Sequence, residues 1–275
     1  MRVSKIHILT FARNLGVLPD NIELDYVQNW VLFGLSQTNA ADTLAFKGGT
    51  CLKKIYFKDY RFSKDLDFTL IKDLSIEELR SSIEKSIEVA TDSCGIYFYI
   101  DEFENYERTV YVKIKWRSIQ SGRDRKLEMN ITVENEFLTN NYPKMLVIHE
   151  PYSSIEKDYH AELSCYTLEE ILAEKIRTLF ERKSRTGAWP RDLYDVWMLI
   201  KRGIDLEKML EILTKKLEIR GIKIDVNKLI ERKNILSNTW QSSLKDLIPG
   251  GKLPEFNRIF SEVIEFIHHL KREIK

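Results

Sequence analysis

The spacing of hydrophobic residues in the first 71 positions predicts helices, then a strand, a glycine turn and a second strand. Apolar residues recur every three or four positions over 23–37, which is typical of an amphipathic helix, and a shorter helix is predicted over 5–14. The apolar run 43–46 predicts a strand that ends at the turn Lys47-Gly-Gly-Thr50, before a helical stretch over 51–57. Alternating apolar and polar residues then predict a strand over 65–71.

The middle of the chain predicts a helix followed by β-structure. Ser75 and Glu78 form a capping-box pattern that opens a helix to about Ala90. Strands are predicted over 96–103, 109–117 and 126–134, and the second of these alternates cleanly between apolar and polar side chains. Short strands are expected near 146–149 and 161–165.

Helical patterns dominate from Thr167 onward. Helices are predicted over 168–184, 191–202, 205–219, 225–235 and 255–272. The expected fold class is therefore α+β, with a mixed sheet and flanking helices in residues 1–165 and a helical C-terminal domain in residues 166–275.

Composition narrows the class of protein. With 43 Lys and Arg against 42 Asp and Glu, the formal net charge is +1. The chain has no stretch of roughly 18 apolar residues that could span a membrane. Its N-terminus lacks the apolar centre of a signal peptide, and its three distant cysteines fit a reducing compartment, so we expect a cytoplasmic protein without a disulfide framework. Its histidines and cysteines show no zinc-ligand spacing.

Asp65 and Asp67 are the strongest candidates for metal binding. Residues i and i+2 of a strand point to one face, so both carboxylates would project together while Leu66 enters the core. Their mutual repulsion is relieved by a divalent cation, and Mg²⁺ takes one or two protein carboxylates together with water and phosphate oxygens. Taken alone, the sequence Asp65-Leu66-Asp67 also fits a solvated strand edge.

The turn Gly48-Gly49-Thr50 is a candidate phosphate site. Glycines let the backbone approach a phosphate, and the start of the following helix offers unpaired N–H groups. The Thr50 hydroxyl could add a hydrogen bond, although an ordinary Gly-Gly turn has the same sequence. The spacing matches neither a P-loop nor a dinucleotide-binding motif.

Four motifs together resemble the AbiEii/AbiGii toxin family of nucleotidyltransferase-like proteins from abortive-infection and toxin–antitoxin systems. They run in the family's order between residues 47 and 197: Lys47-Gly-Gly-Thr50-Cys-Leu, Arg61-Phe-Ser63-Lys-Asp65-Leu-Asp67-Phe, Ala173-Glu174-Lys175-Ile-Arg177 and Arg191-Asp192-Leu-Tyr-Asp195-Val-Trp. Cys51 stands where the family usually has a small residue such as alanine, and the connection from Arg182 to Arg191 is rather long.

The resemblance implies a nucleotidyltransferase fold that uses a nucleoside triphosphate and Mg²⁺, or Mn²⁺, to move a nucleotide onto an acceptor, which for some relatives is a tRNA 3′ end. Asp65 and Asp67 would hold the metal. Gly48, Gly49, Thr50 and Ser63 would contact the triphosphate, and Arg61 belongs to the same motif. Such transfers need positioning and charge neutralisation more than covalent help.

The third and fourth motifs add charged candidates on predicted helices. Lys175 falls within an apolar stripe, so its ammonium either reaches past the core edge or faces a polar cleft, and the resemblance favours a cleft containing the triphosphate. Asp192 and Asp195, after Arg191, would share one helix edge at that cleft. Glu128 could supply a third metal carboxylate, and a surface glutamate fits its position equally well.

Local charge suggests an anionic acceptor. Seven basic residues and one acidic residue lie within 108–126, and six basic and two acidic lie within 174–191. Such stripes could follow an RNA backbone, and a solvated surface would look the same. We expect a growth-inhibiting, metal-dependent nucleotidyltransferase toxin that acts on RNA, such as tRNA, and that has a cognate antitoxin. The alternatives are nucleotidylation of a protein hydroxyl, or binding of nucleotide or antitoxin without turnover.

Overall fold

The computed structural model describes residues 2–134, 136–181 and 189–273. The chain divides into two units. The sheet unit comprises Met1–Glu134 and Asn140–Tyr166, and the helical unit comprises Asn135–Thr139 and Thr167–Lys275.

The sheet unit begins with helices and a strand that leads into the glycine turn. Its elements up to residue 94 are α1 (Lys5–Leu15), α2 (Pro19–Ser36), α3 (Ala40–Thr43), β1 (Leu44–Lys47), α4 (Gly48–Cys51), β2 (Leu66–Leu70) and α5 (Ile76–Cys94). A single π-turn, Leu52–Tyr56, continues α4. Helix α2 begins four residues earlier than predicted, because Pro19 fits the first helical turn without needing an N–H partner. The predicted capping box of Ser75 and Glu78 is present at the start of α5.

The remaining strands follow α5: β3 (Phe98–Tyr106), β4 (Thr109–Arg117), β5 (Asp124–Thr132), β6 (Lys144–Leu146) and β7 (Glu162–Ser164). Strands β6 and β7 form a small antiparallel pair. The main sheet has the order β1-β2-β5-β4-β3, in which β2 and β5 are parallel and the other neighbours are antiparallel. Because β2 and β5 are distant in sequence, their pairing brings together residues that no local pattern connects.

The two faces of this sheet differ in chemistry. Phe46, Phe68, Ile131 and Val110 are register partners across four strands and are completely buried. Side chains alternate along each strand, so the next row points to the opposite face and contains Lys47, Asp67, Asn130 and Tyr111. The apolar row builds the core, and the polar row holds the candidate chemistry.

The helical unit contains α6 (Leu168–Glu181), α7 (Trp189–Ile200), α8 (Leu206–Arg220), α9 (Val226–Glu231), α10 (Lys233–Leu244) and α11 (Phe256–Glu273). The predicted helix over 225–235 is wrong at its end, because α9 stops at Glu231 and α10 follows. Leu236, Trp240 and Leu244 bury one face of α10 at a spacing of four residues, which its Asn, Ser and Thr content obscured. None of the helices in the described ranges is long and apolar enough to cross a membrane.

Candidate active site

Asp67 lies at the centre of the polar row. It is half-buried on β2, where Lys47 of β1 is its antiparallel partner and Asn130 of β5 is its parallel partner. The Asn130 amide Nδ2 donates a hydrogen bond of 3.3 Å to Asp67 Oδ1. The Lys47 ammonium donates to Thr132 Oγ1 at 3.0 Å and lies 5.4 Å from the centre of the Tyr166 ring. One carboxylate oxygen of Asp67 is therefore held by the neighbouring strand.

The glycine turn lies directly against the other oxygen. Gly48 has φ +81°, a conformation that side chains rarely adopt, and a Cβ built on it would meet Asp67 Oδ2 at 2.5 Å. A Cβ on Gly49 would meet Arg61 Nη2 at 2.7 Å and Ser63 Oγ at 3.1 Å. The two predicted motifs thus meet in space, and the glycines are required because the second motif packs against their backbone.

Arg61 and Thr50 are buried beside the turn, and Thr50 ties it to the second motif. The Arg61 guanidinium donates through Nη1 to the Phe62 carbonyl at 3.1 Å. The Thr50 hydroxyl donates to the Asp65 carbonyl, so here it fixes the chain just before β2. Its hydrogen bond to a phosphate stays a prediction, as does that of Ser63.

Asp65 lies one residue before β2, although the sequence pattern places both carboxylates within the strand. Leu66 pairs with Met129, so the residues that precede each of them, Asp65 and Glu128, lie at the same level of the parallel pair. Both border one cavity of about 570 Å³. Glu128 Oε1 also forms an ion pair with Nζ of Lys126 on the same strand, at 2.7 Å.

The donor set fits a magnesium ion. Asp65 and Asp67 are half-buried and near in sequence, and Mg²⁺ requires only one or two protein carboxylates when water and phosphate complete its shell. Within the residues that the structure describes, no three Asp, Glu, His or Cys side chains converge as a metal site. Glu128 as a third ligand therefore remains a prediction.

The third and fourth motifs meet in the helical unit. Lys175 of α6 reaches both candidate carboxylates of α7, with its Nζ at 2.7 Å from Asp192 Oδ1 and 2.9 Å from Asp195 Oδ2. Asp195 is completely buried and Asp192 nearly so, while Arg191 is half-buried at the start of α7. The third and fourth motifs thus form one charged cluster, and its role in a nucleotide site stays a prediction. The sequence does not predict that the Lys175 ammonium is shared between two aspartates, because that contact depends on how α6 packs on α7.

The expected basic surface over 108–126 is largely neutralised. Lys115 pairs with Asp101 at 2.9 Å, and Lys113 also contacts the carboxylates of β3. Other carboxylates face Arg117, Arg125 and Lys126. Counting charge over 108–126 overstated the positive character of this surface, because most of the carboxylates that pair with it lie outside that range. Residues 182–188 of the second stripe lie outside the described residues, and its Lys175 and Arg177 are paired.

Asn130 is next to Asp67 in the polar row but belongs to none of the four motifs, so the sequence did not mark it as a site residue. It lies two residues after Glu128 on β5, so it shares that residue's face. Its position in β5 was available from the alternation, but its contact with Asp67 required the pairing of β5 with β2.

Comparison with known proteins decides the family. The sequence profile of the family described as nucleotidyl transferase AbiEii toxin, type IV toxin–antitoxin system, matches residues 30–262. The chain belongs to this family. This match to the AbiEii family confirms the resemblance that the four motifs suggested. The protein is a toxin nucleotidyltransferase. No curated protein matches the sequence.

Solved structures support the fold. The nucleotidyltransferase toxin MenT4 of Mycobacterium tuberculosis is similar with a TM-score of 0.60 and 18% identity over 99% of both chains. JHP933 of Helicobacter pylori is similar with a TM-score of 0.56 and 15% identity over 94% of both chains. The α+β class with a mixed sheet and C-terminal helices, as predicted, is confirmed for this AbiEii protein.

Proposed function

We propose that this AbiEii nucleotidyltransferase transfers the NMP of an NTP to the 3′ end of an RNA, with tRNA as the expected acceptor, and that this transfer arrests growth. The observation that carries the proposal is the close packing of the glycine turn on Asp67. It sets a backbone that a phosphate can approach beside a carboxylate suited to a divalent cation. A cognate antitoxin and a cytoplasmic location belong to the same proposal.

The chain's own residues have distinct roles in this scheme. Gly48 and Gly49 let Asp67 and Arg61 pack against the turn that would bind the triphosphate, and Thr50 ties this turn to the start of β2. Asp65 and Asp67 would hold Mg²⁺ or Mn²⁺, which when bound neutralises charge on the phosphates. Lys175, Asp192 and Asp195 are carried into the proposal by the family motifs alone, and within the helical unit the Lys175 ammonium is shared by the two carboxylates.

The proposed transfer is a single displacement and needs no covalent enzyme intermediate. The RNA 3′ oxygen forms a bond to the α-phosphorus as the bond from that phosphorus to the bridging oxygen breaks. Pyrophosphate leaves with the bonding electrons, and the hydroxyl proton passes to water. Positioning the two oxygens in line on either side of the α-phosphorus is the main requirement on the protein.

Labelling with each α-³²P NTP and magnesium, in the presence of total RNA or of total protein, tests the proposal. We expect label in RNA, and we expect its loss in Asp67→Asn, which keeps the size of the side chain. Asp92→Asn is the matched control, because Asp92 is exposed on α5. Label in protein alone would support the alternative acceptor. Tight NTP binding without any label would support a binding protein, and full activity of Asp67→Asn would refute the metal site.

A further inference from the structure

The sheet unit has a cavity of about 570 Å³ next to the carboxylates. Its walls include Asp65 and Glu128, the exposed ammonium groups of Lys64 and Lys126, and the side chains of Leu18 and Leu24. A volume in the range of small-molecule sites, with apolar and charged walls, fits one nucleotide better than a flat surface would.

The strand order shows which features lie on each side of Asp65 and Asp67. In the order β1-β2-β5, the glycine turn follows β1 and lies on one side of β2. Glu128 belongs to β5, so the cavity lies on the other side. An in-line transfer needs the leaving pyrophosphate and the attacking hydroxyl on opposite sides of the α-phosphorus. If the triphosphate lies along the glycine turn, the acceptor must approach from the β5 side.

The geometry points to this cavity as the site for the 3′-terminal nucleotide of an RNA acceptor, an inference that rests on the proposed nucleotidyl transfer. The base packs on Leu18 and Leu24, and the backbone phosphates meet Lys64 and Lys126. Lys126 is 63% exposed in its ion pair with Glu128. Water screens exposed pairs of this kind and leaves them weak, so a phosphate can draw this ammonium away from Glu128.

The salt dependence of RNA binding tests the charged wall. We would measure binding of a fluorescent single-stranded oligoribonucleotide with a free 3′ hydroxyl at several salt concentrations. Lys64→Ala and Lys126→Ala should each weaken binding and lower the slope of log K against log salt by about 0.7, the value for one phosphate contact on a single strand. Lys85→Ala, exposed on α5, is the matched control and should leave the slope unchanged.

Truncating the apolar wall tests the base contact. Leu24→Ala should raise the KM for RNA about tenfold, because it removes apolar surface that the base would cover, while the KM for NTP and the binding of a non-hydrolysable NTP stay unchanged. A rise in the NTP constant alone would overturn the inference, as would equal slopes in Lys64→Ala and Lys85→Ala. If the wild type labels protein and not RNA, the RNA assignment is wrong. If the wild type transfers label to neither RNA nor protein, the proposed function is wrong. Binding of the oligoribonucleotide then still tests whether the cavity accepts RNA.

Discussion

Asn130 donates its amide to Asp67 across the parallel pair of β2 and β5, at 3.3 Å. Gly48 closes the opposite side of the same carboxylate. A metal-binding carboxylate that is held in one orientation loses less freedom when it binds, which is why hydrogen-bond partners behind metal ligands affect affinity. Asn130 is thus a positioning residue for Asp67.

Replacing Asn130 should raise the metal requirement more than it lowers the maximal rate. In Asn130→Ala, we expect the magnesium concentration for half-maximal transfer to rise about 10- to 100-fold, the range for lost partners of metal ligands. The rate at saturating magnesium should fall much less, because Asp67 itself remains. The measurement is transfer rate against magnesium concentration. Asn105→Ala, exposed on β3, should match the wild type. A fall in maximal rate with an unchanged magnesium midpoint would contradict the role.

A methyl group at Gly48 should damage both the turn and the carboxylate. Its φ of +81° strains any side chain, and the new Cβ would lie 2.5 Å from Asp67 Oδ2. We expect Gly48→Ala to lower the free energy of unfolding by more than ~1 kcal/mol and to abolish transfer. Denaturant unfolding and the labelling assay measure the two effects.

Gly122 provides the matched control for that substitution. It also has a positive φ, +64°, but a Cβ there would have nothing within 4 Å. Gly122→Ala should therefore share the backbone strain and keep the transfer activity. If both variants lose activity equally, contact with Asp67 is not the reason for the effect at Gly48.

Removing the Lys175 ammonium should destabilise the helical unit. Lys175→Met leaves Asp192 and Asp195 as buried charges without their common partner, and breaking such a pair costs about 3–5 kcal/mol. The measurement is the free energy of unfolding in denaturant. Arg258→Met is the control, since Arg258 is 67% exposed in its pair with Glu262 and water screens that pair. Equal losses in the two variants would show that the buried cluster has no special role in stability.

Local patterns predicted the features that depend on nearby residues. The capping box at Ser75, the alternation of β4 and the glycine turn each require only a few neighbouring positions, so the sequence displays them directly. Grouping Lys175 with the aspartates of α7 depended on the family resemblance and on helical spacing together.

Long-range pairing explains what the patterns could not reveal. The contact of Asn130 with Asp67 depends on β5 lying beside β2, and the neutralisation of Lys113 and Lys115 depends on carboxylates of β3. The hydrogen bond from Thr50 to the Asp65 carbonyl depends on how a loop returns to the strand. Periodicity within a segment contains none of this information, because it reports which face is apolar and not which segment covers it.

Glu170 gives the helical unit a distinctive dependence on pH. Burial raises the pKa of its carboxyl to about 7, and Glu174 adds to the shift, although Lys216 at 3.4 Å and the Thr139 hydroxyl at 2.9 Å favour the charged form. Lys216 is itself completely buried and also pairs with Glu136 at 2.6 Å.

The Glu170 carboxyl holds its proton more tightly in the folded chain than in the unfolded chain. Between the ordinary glutamate pKa of about 4.3 and pH 7, the folded chain keeps a proton on Glu170 that the unfolded chain has released. The stabilisation from Glu170 is therefore complete below about pH 4.3 and declines as the pH rises to 7. We expect the urea midpoint of the wild type to fall more steeply from pH 5 to pH 8 than that of Glu170→Gln, which mimics the protonated form.

Glu211→Gln separates this effect from a general loss of charge, because Glu211 is exposed on the same helix as Lys216. It should retain the wild-type dependence of the urea midpoint on pH, since an exposed carboxylate is solvated in both states. Unfolding curves at four or so pH values for the three proteins are sufficient. If Glu170→Gln follows the wild type throughout, Glu170 is already ionised at pH 5, and Lys216 and Thr139 outweigh the burial of its carboxylate.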